Sequence, residues 1–117
     1  MDAETYKRLI AEPDVLDHTT LNVTLKEVVA KQEFTLAAAL QRILNENRIE
    51  KPALSASQYD LRPSYYRVDL PDEDVDHIID ILIDLEASFT SEAGEPTPTS
   101  AFYASLVDKW YRLTEKY

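Results

Sequence analysis

A row of carboxylates beside one histidine is the part of this sequence best equipped for chemistry. In "PDEDVDHIIDILIDLE", Pro71 to Glu86, seven acidic side chains surround a run of isoleucines and leucines, with no lysine or arginine among them. Glu73, His77, Asp80 and Asp84 stand at i, i+4, i+7 and i+11, so a helix would project them together. Such an oxygen-rich set suits magnesium, manganese or iron. A di-metal carboxylate bundle, however, takes a glutamate from each of two helices and a Glu-x-x-His from each of two others. This chain has 2 histidines, a single Asp-x-x-His at Asp74–His77 and no second copy. His18, in "DVLDHTT", is remote in sequence. No metal or cofactor is expected, and a carboxylate metal-binding bundle stands as an alternative.

The same residues can also be read as a surface. On a helical wheel Val75, Ile78, Leu82, Leu85 and Phe89 make a stripe, widened by Ile79 and Ile83 on one side and by Ile81 on the other. What stays polar is a narrow strip of Glu73, Asp76, Asp80 and Asp84, with His77 beside it. Asp76, Asp80 and Asp84 are successive i, i+4 neighbours, and like charges so placed cost about 0.2–0.5 kcal/mol per pair. Asp84 and Glu86 also approach the negative end of the helix dipole. Energetics internal to the helix therefore do not account for the strip. Either it is a solvated face kept soluble by charge, or it receives the lysines and arginines of a partner.

The charge balance sharpens that choice. The formal net charge is −10, yet Val68 to Asp108 holds eleven acidic residues and no basic one, so the rest of the chain sums to +1. An acidic surface repels nucleic-acid phosphates and anionic membranes and favours cationic partners. No nucleic acid or membrane is expected as a partner, and a homo-oligomer is compatible with the sequence. Other chemistry finds little material. With no cysteine, thiol nucleophiles, disulfides and cysteine-held metals are excluded. The single glycine, Gly94 in "EAGEPTPTS", builds neither a phosphate-cradling loop nor a tight hairpin. The histidines lie near no serine-bearing turn, so no hydroxyl nucleophile has a base in view. An enzyme is not expected.

One stretch resembles a known DNA-binding element. Val29, Ala30 and Lys31, followed by Leu40, Arg42, Ile43, Leu44 and Asn45, resemble the helix-turn-helix DNA readers of the lac-repressor type over 17 residues. The resemblance implies two helices joined by a turn and a base-reading second helix. The sequence departs from it where glycine is usual, at Phe34, and at Thr35. The expected reading face carries Leu36, Ala37 and Ala38, whereas base readout needs groups such as Gln41, Arg42 and Asn45. A degenerate DNA-binding regulator is the second alternative; a core helix with small alanines for close packing is the plainer reading.

The elements that must position these residues are mostly helical. The 117 residues suit one domain, with 44% hydrophobic and 29% charged content, and no apolar run reaches the length of a membrane span. "MDAETYKRL" lacks the basic-then-apolar pattern of a secretion signal, so a cytoplasmic protein is expected. Asp2 can cap a first helix whose apolar face is Tyr6, Leu9 and Ile10, with Pro13 ending it. "PDVLDHTTLN" reads as a connector. Thr24–Glu27 has capping-box spacing and opens a helical pattern to about Asn47, either as one helix or with a break near Glu33–Thr35. An irregular loop is expected over about 50–66; Tyr59, Arg62, Tyr65 and Tyr66 in it, with Arg67 just after, suit a loop laid over the core or an interface. "YRVDL" alternates like a strand and could pair with "LNVTL". Pro71 suits the first position of the acidic helix. A solvated linker over about 90–99 then precedes a last helix with Phe102, Leu106, Trp110, Leu113 and Tyr117 on one face. The expected fold is all-α, a single-domain helical bundle of four or five segments with at most one short two-stranded β pairing. The expected function is a small acidic, non-enzymatic protein–protein interaction module of inhibitor, immunity or adaptor type. It would present Glu73, Asp76, Asp80 and Asp84 to a basic protein partner.

Overall fold

In the computed structural model, which describes residues 2–51 and 64–115, the chain opens with α1 (Ala3–Ile10). Asp2 caps α1 by accepting the Thr5 N–H at 2.7 Å, and Tyr6 is its buried anchor. β1 (Val15–Asp17) follows, then α2 (His18–Ala30), α3 (Phe34–Glu46), β2 (Tyr65–Arg67), α4 (Asp72–Ser88) and α5 (Pro98–Tyr111), which tightens into a 3-10 turn over Arg112–Glu115. The described residues are thus mostly helical, with five α-helices and a small two-stranded antiparallel sheet. No helix among them is long and apolar enough to cross a membrane.

α4 and α5 form an antiparallel hairpin, and α2 with α3 forms a second helical pair packed against it. The shared core takes Leu21 and Val28 from α2, Leu40 and Ile43 from α3, and Val75, Ile78 and Leu82 from α4; Leu106 and Trp110 from α5 and Leu113 from the turn close it. These positions recur at three-four spacing, which is why each segment is helical and why one face of each is dry. Phe102, expected on the inner face of the last helix, is instead exposed, and Tyr117 lies outside the described residues.

Several boundaries differ from the sequence expectation. The capping box at Thr24–Glu27 does not form. α2 starts seven residues earlier, at His18, because the Asp17 carboxylate caps it by accepting from the Thr20 N–H (3.3 Å) and hydroxyl (2.6 Å). Thr24 is buried mid-helix, its hydroxyl turned back onto the Thr20 carbonyl. The break near Glu33 is real and follows a left-handed Gln32 (φ 61°). Glu33 N–H bonds the Val28 carbonyl at 3.1 Å and Gln32 N–H bonds Val29 at 2.9 Å, the two-bond helix ending that usually recruits glycine at the left-handed position.

A strand forms at Tyr65–Arg67, overlapping only the start of the expected "YRVDL", and its partner is Val15–Asp17 and not "LNVTL", which is absorbed into α2. Leu16 stands opposite Tyr66 in the antiparallel register. Residues after α3 run along the other edge of β2, where Ile49 N–H bonds the Tyr65 carbonyl and the Asn47 side chain bonds that of Arg67. Most of the expected loop, including Tyr59 and Arg62, lies outside the described residues.

Pro71 precedes the acidic helix and does not open it; its carbonyl accepts from Asp74 and Val75 while Asp72, Glu73 and Asp74 fill the positive first turn. Part of the expected linker is helix: α5 begins at Pro98, behind a capping box in which Thr97 and Ser100 exchange side-chain-to-backbone bonds. Gly94 supplies the positive φ (80°) that the turn between α4 and α5 requires.

Candidate functional site

α4 buries Val75, Ile78, Ile79, Ile81 and Leu82, and that choice of inner face fixes the outer one. Glu73, Asp76, Asp80 and Asp84 are all exposed, as the wheel requires of positions opposite the stripe. None of the four makes an ion pair with a described residue, although four basic side chains could in principle have folded against them. Arg42 instead forms a two-pronged pair with Asp69, at 2.7 and 3.3 Å. Lys109 turns to Asp17 and Thr20, and Arg112 donates to the carbonyls of Ala11 and Glu12. Arg48 bridges to Tyr66 through its backbone, and its side chain forms no ion pair with a described residue.

His77 sits at the border of the strip, and its Nε2 lies 3.1 Å from Glu33 Oε1. This contact ties the α2–α3 turn to the face of α4 and leaves His77 directed at a neighbouring helix pair. Glu73, His77, Asp80 and Asp84 do not converge: among the described residues no three histidine, aspartate or glutamate side chains gather as a metal would need. The turn also carries Phe34, 64% exposed, with exposed Val29 at the end of the preceding helix.

The helix-turn-helix resemblance has a structural counterpart in α2, the turn Lys31–Glu33 and α3. Leu36 and Ala37 of the supposed reading face are buried in the core, while Ala38 is exposed. Gln41 and Asn45 are outward and bonded to one another at 3.1 Å, and Arg42 is held by Asp69. Of the tyrosine–arginine stretch, Tyr66 is buried in the sheet and Arg67 binds Glu12 and Asp14 at 2.9 and 2.8 Å.

A second location was not legible in the sequence. Ile10, Val15, Leu16, Asp17, Tyr65, Lys109 and Arg112 line a half-open pocket of about 330 Å³. Asp17 is its organising group. Burial pushes its carboxyl up, but the Thr20 hydroxyl, the Lys109 charge and the Thr20 N–H together outweigh this and leave it below the usual aspartate range. Beneath the pocket a buried relay continues the polar contacts: Lys109 to Thr20, Thr24 to the Thr20 carbonyl, and Trp110 Nε1 to Thr24 Oγ1 at 3.0 Å. The only sequence trace of this site is "DHTT", an aspartate three residues ahead of a threonine, which is a helix-start pattern.

Compared with protein-family models, with curated proteins and with solved structures, the chain finds no match.

Proposed function

We propose that this protein is a non-enzymatic interaction module of inhibitor, immunity or adaptor type, working in the cytoplasm. The outer face of α4 docks a basic protein. The observation that carries this reading is the unneutralised strip. Glu73, Asp76, Asp80 and Asp84 are exposed and make no ion pair with a described residue, while Arg42, Arg67 and Lys109 pair with other carboxylates. A partner bringing lysines or arginines to that face gains complementary potential, felt mainly in association rate and specificity.

The DNA-reading alternative draws on the helix pair α2–α3 with its short turn. It is the weaker reading, because Leu36 and Ala37 are spent on the core and a net charge of −10 opposes phosphate.

The test is a two-stage binding experiment. Partners are recovered from native-host lysate by cross-linking, and affinity is then measured on the purified partner. The variants are wild type and the quadruple Glu73→Gln, Asp76→Asn, Asp80→Asn, Asp84→Asn. Docking through the strip requires a lysine- or arginine-rich contact surface on the partner. Affinity should fall at least about tenfold in the neutralised variant, and wild-type binding should weaken steeply between low and physiological salt. Equal affinity for both proteins would reduce the strip to a solubility device. Recovery of a defined duplex sequence from a random pool, lost on Arg42→Ala, would favour the DNA reader.

A further inference from the structure

The pocket beside Asp17 lies apart from the acidic strip, between the end of α1, the small sheet and the end of α5. Its charge runs against that of the whole protein: two cations, Lys109 and Arg112, line it with one carboxylate, Asp17. The nearest other acids are turned elsewhere, since Glu12 and Asp14 both bind Arg67. Lys109 is shared with Asp17 and Thr20. Arg112 is not so committed. One terminal nitrogen, Nη2, reaches the carbonyls of Ala11 and Glu12, and its Nη1 and Nε have no acceptor among the described residues. A guanidinium anchored at one corner keeps its planar fork fixed, with donors left for a two-oxygen acceptor. The opposite side offers hydrocarbon mainly from the partly exposed Ile10, since Val15 and Leu16 border the pocket but are buried.

We propose that this pocket binds a small monocarboxylate with a short aliphatic body. The carboxylate pairs with Arg112, and the short aliphatic part lies against the Ile10 side chain. Three features select this class. The volume, about 330 Å³, is at the small end of ligand pockets. The lining carries a single excess positive charge, which matches one negative charge; a dianion such as phosphate meets repulsion from Asp17. The partly exposed Ile10 side chain gains from being covered by a short alkyl group and offers nothing to a fully hydrated inorganic ion.

The experiment is a 1H–15N NMR titration of the full chain with 3-methylbutanoate. Parallel titrations use its uncharged amide, 3-methylbutanamide, and inorganic phosphate. Saturable shifts are expected at Ile10, Val15, Leu16 and Arg112 with the carboxylate, and affinity at least about tenfold weaker for the amide and for phosphate, the scale of one charge-assisted pair. Arg112→Gln should weaken carboxylate binding about tenfold or more, with Arg112→Lys intermediate. Ile10→Glu leaves the Arg112 contacts in place and puts a negative charge in the wall, so it should abolish binding while the spectrum stays dispersed. Absence of saturable shifts, equal response to acid and amide, or tighter binding of phosphate would each overturn the proposal.

Discussion

Trp110 Nε1 donates to Thr24 Oγ1 at 3.0 Å, joining α5 to α2 across 86 positions of sequence with both side chains removed from water. Thr24 serves two partners at once, since its own proton goes to the Thr20 carbonyl at 2.7 Å. Replacing the hydroxyl by a methyl of the same shape leaves the indole N–H buried without an acceptor, while helix propensity barely changes. Thr24→Val should therefore cost about 1–3 kcal/mol in urea unfolding, and Thr24→Ser, which keeps the acceptor, clearly less. A valine variant as stable as wild type would mean that the bond contributes nothing to the packing of α5 on α2.

The cap of α2 gives a pH signature. Asp17 is held below the usual aspartate range in the folded protein, since its partners outweigh the effect of burial. A depressed carboxyl contributes stability above its unfolded value, 3.8, and loses it as pH falls through the lower folded value. Asp69, drawn down by the Arg42 guanidinium, adds to acid sensitivity, but equally in wild type and in an Asp17 variant. The stability difference between wild type and Asp17→Asn isolates the first group. It should be about 1 kcal/mol and constant from neutral pH to about pH 5, then close progressively below pH 4. A difference that persists undiminished at pH 2 would assign the effect to shape and not to charge.

The end of α2 predicts a gain. Gln32 occupies a left-handed conformation that costs a side-chain-bearing residue about 1 kcal/mol and costs glycine little. Gln32→Gly should raise stability by about 0.5–1 kcal/mol, and Gln32→Ala should leave it near the wild-type value. Chemical denaturation of the three proteins decides the matter; a destabilising glycine would show that the Gln32 side chain makes a contact worth more than the strain.

That glutamine also explains why the sequence left one helix or two open over residues 24–47. The helix ending there is the ordinary one, but the residue that announces it is missing. By contrast the buried face of α4 was legible, because Val75, Ile78 and Leu82 repeat at helical spacing and the polar residues fall by subtraction onto the other face, although Ile83 and Phe89 of the expected stripe are exposed and Pro71 stays outside the helix. The start of α2 was misread for a tertiary reason: Thr24, which looks like a cap, is needed beneath Trp110, and the true cap is Asp17. The strand pairing failed similarly, as three residues of alternation do not say which distant segment completes the sheet. The pocket drew on Ile10, Asp17, Lys109 and Arg112, whose proximity no local pattern encodes.

The acidic strip carries a stability prediction separate from its role in binding. Asp76, Asp80 and Asp84 form two like-charged i, i+4 pairs on an exposed helix face, and no described cation relieves them. Glu73 sits in the first turn, where the dipole favours it, so its neutralisation costs a few tenths of a kcal/mol against the repulsion removed elsewhere. The quadruple Glu73→Gln, Asp76→Asn, Asp80→Asn, Asp84→Asn variant should thus match wild type or exceed it by up to about 1 kcal/mol at low ionic strength. Salt discriminates further. Screening removes repulsion only where repulsion exists, so raising sodium chloride to about 0.5 M should stabilise the wild type more than the variant and narrow the gap. A variant less stable by more than about 1 kcal/mol, or a gap indifferent to salt, would mean that these carboxylates hold the fold together and are not a surface kept in reserve for a partner.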